Sequence, residues 1–296
     1  MKSPQPLWLL AAPFIFLLLW SAGFALAKIG LRHAGPFTIL ALRYGIVVAI
    51  LMPLALIFRP PLPKGARAWA DVAIVGFLIQ VVYFGLCYFA FKSGVSAGGV
   101  AIIVCLQPIL VGLVAPHFVG EKVGLARWLG LILGLAGAAL VIAARSNIAA
   151  ENPLGVLAAF GGLCGITGGT LWEKRYGVTH HPITANLIQY VVGAAFALPL
   201  ALATETLQID WSWAFTGVMA YLVIGNSLIS MTLLLAMIRA GEVARVSSLF
   251  YLVTPLSALI AWPLLGEAMP PLAWAGMGLA AIGVAIASRR PKPAST

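Results

Sequence analysis

Between Lys92 and Glu121 the chain carries no Asp, Glu, Lys or Arg, and none falls between Arg245 and Glu267. A helix of about 20 predominantly apolar residues crosses roughly 30 Å of hydrocarbon, so each stretch can span a bilayer. The two are versions of one text. Val95 to Glu121 has Gln107-Pro108 near its middle and stops at Gly120-Glu121, whereas Val243 to Glu267 has Thr254-Pro255 there and stops at Gly266-Glu267. Pro108 cannot donate to the Val104 carbonyl, nor Pro255 to that of Tyr251, and an unanswered carbonyl in lipid costs several kcal/mol. Each helix is therefore expected to kink at its proline and to face a cavity rather than lipid.

With 62% hydrophobic and 9% charged residues, and a mean hydropathy of +1.04, the 296 residues describe an integral membrane protein rather than a large soluble fold. The formal charge of +10 does not point to nucleic acid, because the basic residues lie singly between apolar spans and form no patch. Cys87, Cys105 and Cys164 sit inside apolar segments, are odd in number and form no CxxC, which reads as buried thiols. His33, His117, His180 and His181 lie near span ends without metal-site spacing. Neither a metal nor a cofactor is expected. Lys2, an apolar run and Ala25-Leu26-Ala27 imitate a cleavable signal peptide, but Leu7 to Ala27 is 21 residues, longer than a signal core, and reads as a retained helix.

Apolar segments between polar breaks give ten spans, at 7–27, 36–58, 69–91, 95–116, 124–144, 154–174, 183–204, 213–237, 243–265 and 271–288. The fold class is thus all-α and integral to the membrane. The breaks are punctuated by prolines, as in Arg59-Pro60-Pro61-Leu62-Pro63-Lys64, Asn152-Pro153, His181-Pro182 and Pro270-Pro271. Counting alternate connections, 13 basic residues fall on the side of the two termini and 4 on the other, with Arg43 left inside the second span. That bias places both termini in the cytoplasm.

A shift of 146 residues overlays the chain on itself: Lys28 on Lys174, Pro36 on Pro182, Thr38 on Thr184, Tyr44 on Tyr190, Trp128 on Trp274, Gly130 on Gly276 and Gly137 on Gly283. Two units of five spans follow, 1–148 and 149–296. An odd number of crossings sends the second unit in from the opposite side, so the units are expected to be inverted about an axis in the membrane plane. Exchanging the conformations of two such halves turns an outward-open state into an inward-open one, which is the requirement for a transporter.

The text of the repeats is specific in its order and spacing: Trp20-Ser21, Phe24 and Lys28; Leu42-Arg43-Tyr44; Tyr88 to Lys92; Leu106-Gln107-Pro108; Gly120-Glu121; Trp128-Leu129-Gly130; then Leu234 to Met237, Thr254-Pro255, Leu264 to Glu267 and Trp274-Ala275-Gly276. In these the chain resembles the EamA-type members of the drug/metabolite transporter superfamily, and is most similar to bacterial exporters of aromatic amino acids. The resemblance implies an inner-membrane exporter of amino acids, aromatic or large apolar first, working by alternating access. It implies a central cavity from spans one to four and six to nine, with spans five and ten peripheral. The second unit departs from the first, with Gln189 for Arg43, Thr254 for Gln107 and Ile166 for Trp20.

Gln80, Tyr83, Phe84, Cys87 and Tyr88 recur at helical spacing in the third span, and Asn226, Ser227 and Ser230 form a comparable stripe in the eighth. Gln80 and Gln107 read as cavity-lining amides, whereas the eighth-span stripe is read equally as interhelical hydrogen bonding or substrate contact. Trp20, Tyr44, Tyr83, Phe84, Tyr88, Trp172, Tyr190, Phe250 and Tyr251 offer a stacking site or simple packing, with Trp20, Tyr83 and Tyr251 deepest. Arg43 lies within a span, where a lone cation costs about 2.5–3.5 kcal/mol, and either binds a substrate carboxylate or is answered by snorkelling or backbone carbonyls. The substrate-binding set is therefore Trp20, Arg43, Tyr44, Gln80, Tyr83, Gln107, Asn226, Tyr251 and Thr254, with Pro108 and Pro255 as kinks. Gly130, Gly134, Gly137, Gly276, Gly278 and Gly283 read as close packing, within the fold or between the copies of a homodimer, so the chain acts as monomer or homodimer.

All eight acids fall at or near span ends, so no buried proton-coupling acid is expected and a neutral or zwitterionic solute is favoured over organic cations. A multidrug or other metabolite exporter is the alternative within the same fold. An intramembrane enzyme is remote: the chain has no HExxH, carboxylate cluster or deep histidine, and no catalytic residue is assigned.

Overall fold

A computed structural model describes residues 7–95, 100, 103–121, 123–145, 152–177, 180–241, 243–265 and 270–287, and their side chains except at 7–10, 138, 141, 142, 144, 145, 244, 245, 254, 258 and 261–265. The Thr254 side chain and the Gly266-Glu267 pair thus lie outside the described residues. Among those described, the fold is helical throughout, apart from one isolated antiparallel bridge between Ala34 and Ile209.

In chain order the helices are α1 (Leu7–Gly30), α2 (Pro36–Phe58), α3 (Ala66–Lys92), α4 (Gln107–Phe118), α5 (Leu125–Arg145), α6 (Pro153–Gly177), α7 (Pro182–Thr204), α8 (Trp213–Ala240), α9 (Val243–Ser247), α10 (Phe250–Leu265) and α11 (Pro271–Ala287). Six of them, α1, α2, α3, α6, α7 and α8, are long and apolar enough to cross a membrane, and shorter apolar helices accompany them. The bounds of these six fall within a few residues of the spans read from hydropathy, because a hydrocarbon layer sets helix length more strictly than any soluble core, whereas the expected span 95–116 is met by α4 only from Gln107 and the expected span 243–265 is divided between α9 and α10. Prolines open α2, α6, α7 and α11 in the first turn, where the missing N–H has no intrahelical partner to lose. Phe14, Leu56, Ile57, Leu129, Leu157, Leu202 and Ile282 stand exposed on the outer surface, a distribution that only a lipid solvent tolerates.

The kink expected at Pro108 is corrected to a helix break. The chain turns at Cys105-Leu106 and α4 begins at Gln107, so Pro108 occupies a first turn and forfeits no hydrogen bond. In the later copy the turn falls at Ser248-Leu249, one turn earlier relative to its proline, and Pro255 lies inside α10. There the Tyr251 carbonyl does lack its helical donor.

Two pairings dominate the interior. α5 packs along α11, and α2 along α7. The glycines resolve onto the first seam: a Cβ added to Gly130 would lie 2.7 Å from the Gly283 carbonyl oxygen, and one added to Gly137 would lie 2.7 Å from that of Gly276. Backbones meet there without intervening side chains, so the glycine stripes are used within the chain. α1 packs on α8 and α10, while α6 packs on α3 and α4.

The seam should be intolerant of bulk. Gly137→Val is expected to lower stability by roughly 1–3 kcal/mol, the usual cost of overpacking. Gly278, whose added Cβ meets nothing within 4 Å, supplies the control: Gly278→Val should leave the melting temperature in detergent unchanged. Equal melting temperatures for the two variants would disprove the seam.

Candidate functional site

Two of the long helices widen at matched places. In α3 residues Phe77–Tyr83, and in α8 residues Tyr221–Ser230, adopt π-helical turns, with the Phe84 N–H reaching back to the Ile79 carbonyl and the Met231 N–H to the Asn226 carbonyl. Such turns displace backbone groups from the regular ladder and gather at functional sites. Each is braced from the helix opposite. The Tyr44 hydroxyl donates to the Gln80 carbonyl at 2.8 Å, the Tyr190 hydroxyl donates to the Ser227 carbonyl at 2.9 Å, and the two rings lie 5.6 Å apart at the α2–α7 contact.

Beside this brace is a partly open cleft, bordered by the later halves of α1 and α3, by Arg43 of α2, and by Leu222 and Asn226 of α8. Its wall is largely aromatic. Trp20 stacks on Tyr83 with centroids 6.3 Å apart and 12° between planes, and Phe84 closes on both at 5.9 Å and 4.8 Å. Phe24, Tyr88 and Phe91 continue the wall, and the buried Tyr88 hydroxyl has no hydrogen-bond partner.

Arg43 is 1% exposed. It does not snorkel. Its Nε donates to Ser227 Oγ and its Nη2 to Asn226 Oδ1, both at 2.6 Å, and the guanidinium carbon lies 4.6 Å from the Phe84 ring centre. Hydroxyl, amide and ring satisfy geometry without supplying a negative charge, and no carboxylate is among the residues lining the cavity. Gly23 makes the arrangement possible, since a Cβ there would sit 2.5 Å from Asn226 Nδ2.

Of the expected binding set, Trp20, Arg43, Tyr83 and Asn226 meet at this cavity. Tyr44 stands behind Arg43 as part of the brace. Gln80 is fully buried on α3 with neither amide atom in a hydrogen bond of regular geometry, and it does not line the cavity. Gln107 is buried elsewhere, its Nε2 donating to Ser247 Oγ at 3.3 Å and to Thr170 Oγ1 at 3.4 Å. Tyr251 packs with Cys105, Leu131, Val284 and Ala287, against Gly134 of α5, away from the cavity. Gly23, Ala27, Phe91 and Leu222 complete the wall and are absent from the sequence-derived set. The signal for the α1 pair was present, because Trp20, Gly23, Phe24 and Ala27 share one helical stripe and its small residues leave room.

Hydrogen bonds close the two ends of the bundle. At one, Glu205 accepts from the Phe37 and Thr38 N–H groups at 3.0 Å and 2.8 Å, and His33 Nδ1 lies 3.2 Å from Asp210. At the other, Arg239 Nε meets Glu173 at 2.5 Å, while Lys174 reaches the Gly241 carbonyl and Arg175 that of Phe118. Glu173, placed near a span end by the sequence, is 1% exposed and held as an ion pair, so one acid is buried after all. The cavity lies in the half nearer to His33 and Asp210, remote from Glu173.

The sequence profile of the EamA-like transporter family matches residues 6–143 and again 153–289. The chain belongs to the EamA-like transporter family. Its EamA-like sequence is 23% identical to an inner membrane transporter of Escherichia coli, YedA, over 97% of this chain and 92% of that one. It is 24% identical to the Bacillus subtilis transporter YvbV over 82% and 79% of the two chains. A probable terminal-alkyne amino-acid exporter of Streptantibioticus cattleyicolor is 25% identical over 98% and 95%. A solved crystal structure with 22% identity superposes with a TM-score of 0.78, covering 94% of this chain and 95% of the other, so the fold is one already seen by experiment. The family is one of transporters, not enzymes.

The tyrosine brace yields a stability test. Tyr44→Phe and Tyr190→Phe each leave a buried carbonyl unanswered, and each should cost about 1–3 kcal/mol in unfolding of the detergent-solubilised protein. Two unchanged unfolding midpoints would show that the π-helical turns need no brace.

Proposed function

We propose that this EamA-like protein is a multi-pass transporter of the bacterial inner membrane that exports amino acids, aromatic or large apolar ones first. It works by alternating access between two inverted five-helix halves, 1–148 and 149–296, with ten crossings and both termini cytoplasmic. The observation that carries the substrate class is Arg43: a buried guanidinium beside an aromatic cavity, held by neutral groups and left with its charge to offer. A carboxylate answers that charge and a planar or apolar side chain fills the remaining wall. The same cation disfavours cationic drugs. The name of the Streptantibioticus relative is in keeping with an amino-acid substrate, and that of the E. coli relative with an inner-membrane location.

Several contacts support the inverted arrangement. Tyr44 and Tyr190 are equivalent positions and touch one another, as expected on a two-fold axis. The Gly130 to Gly283 contact has its counterpart in Gly137 to Gly276, and α1 on α8 and α10 is mirrored by α6 on α3 and α4. The family profile matches twice, over 6–143 and 153–289, which supports the duplication on which that arrangement rests.

Counterflow in proteoliposomes, with a panel of labelled amino acids, tests the reading. Phenylalanine, tyrosine, tryptophan and leucine should exchange ahead of small or acidic amino acids. Arg43→Gln should slow phenylalanine exchange roughly 10-fold or more, the loss expected for one charge-assisted bond, while phenethylamine, which has no carboxylate, gains nothing from Arg43. Tyr83→Ala should lower exchange with folded protein retained. Wild-type exchange in both variants would remove this cavity from the transport path.

A further inference from the structure

Gln80 and Gln189 are fully buried, and none of their four amide atoms makes a hydrogen bond of regular geometry, although the Tyr190 hydroxyl lies close to Gln80. Buried amides without a partner in the protein call for an explanation. Their place in the duplication supplies one. Shifting by 146 takes Arg43 to Gln189 and Gln80 to Asn226. The observed Arg43–Asn226 bond therefore has a counterpart, Gln189 with Gln80, whose residues are present and whose bond is not made.

The two glutamines share one interface. A Cβ added to Gly76 would lie 2.7 Å from Gln189 Cα, and one added to Gly193 would lie 2.8 Å from Gln80 Cβ. Gly76 and Gln80 are one turn apart on α3, as are Gln189 and Gly193 on α7, so the helices run side by side in register. Gln189 thus sits one turn from Gln80 across a glycine-lined seam, the offset that the shift by 146 assigns to Arg43 and Asn226. The reach is conserved as well: a long and a short side chain in one pair, two of middle length in the other.

Gln189, near the start of α7, lies towards the shut end, fastened by Glu173 to Arg239 and by Lys174 to the Gly241 carbonyl, while Gln80 lies at the middle of α3, one turn from the cavity-lining Tyr83. We propose that Gln80 and Gln189 are the inward-facing counterpart of the Arg43–Asn226 site. Their amides join when the Glu173 end opens, line the cavity formed there, and stand unpaired in the state described here. The proposal rests on the alternating-access reading above. It makes the polar contact of the inward-facing cavity neutral, where that of the outward-facing cavity is cationic.

Side-specific labelling tests it without knowledge of the substrate. In a background lacking Cys87, Cys105 and Cys164, one reporter is Phe24→Cys, in the present cavity, and the other is Thr170→Cys, its equivalent 146 residues on. A membrane-impermeant maleimide is applied to either side of vesicles. Each reporter should label from its own side when the glutamines are intact. Gln80→Leu, Gln189→Leu and the double variant should each raise the ratio of Phe24→Cys to Thr170→Cys labelling about 10-fold. The double variant should go no further than the singles, because a pair is broken only once. Gln80→Met, unbranched and apolar, should match Gln80→Leu if the leucine folds poorly. An unchanged ratio, or effects that multiply in the double variant, would overturn the pair while leaving alternating access standing. If Thr170→Cys never labels from the side opposite to Phe24→Cys with intact glutamines, alternating access fails, and the glutamine pair with it.

Discussion

Inside a hydrocarbon layer every backbone polar group must find its partner within the protein, and the backbone of this chain is arranged by that demand. The π-helical turns of α3 and α8 free backbone carbonyls, and the demand is met by tyrosines delivered from α2 and α7. Those tyrosines fix where α2 and α7 cross. Their neighbour on α2 is Arg43, so the brace also sets the depth of the guanidinium and the position of the cavity beside it. One requirement thus links backbone geometry, helix packing and the charge of the site.

The spans were legible because bilayer thickness fixes helix length, and apolar runs bounded by prolines announce both ends. The interruptions were not. Pro108 reads identically whether it bends a helix or opens one, and the choice depends on a turn at Cys105-Leu106 that carries no turn-forming residue. Tyr251 misled for a related reason: the Ser248-Leu249 turn resets the rotation of α10, and a residue expected to face the centre faces α5 instead. At the site, Trp20, Arg43, Tyr83 and Asn226 were readable from their polarity and helical spacing. That Arg43 is answered by Asn226 and Ser227, far along the chain, follows only from how α2 meets α8.

The duplication explains architecture better than chemistry. Where the first half offers Trp20, Phe24, Tyr83 and Tyr88, equivalent positions in the second hold Ile166, Thr170, Ile229 and Leu234. The first set presents rings, the second aliphatic groups and a hydroxyl, so the repeat does not carry the chemistry of the cavity wall into the second copy.

The glycine seam between α5 and α11 bears on how the halves stay together. Each is the last helix of its half, and each finds its closest backbone partner in the other half. Either half alone would leave a glycine stripe against lipid, with nothing of matching shape to cover it. Joined by a close backbone contact between helices far apart in the sequence, the two copies of the family profile are held to one another by shape as well as by the chain that links them.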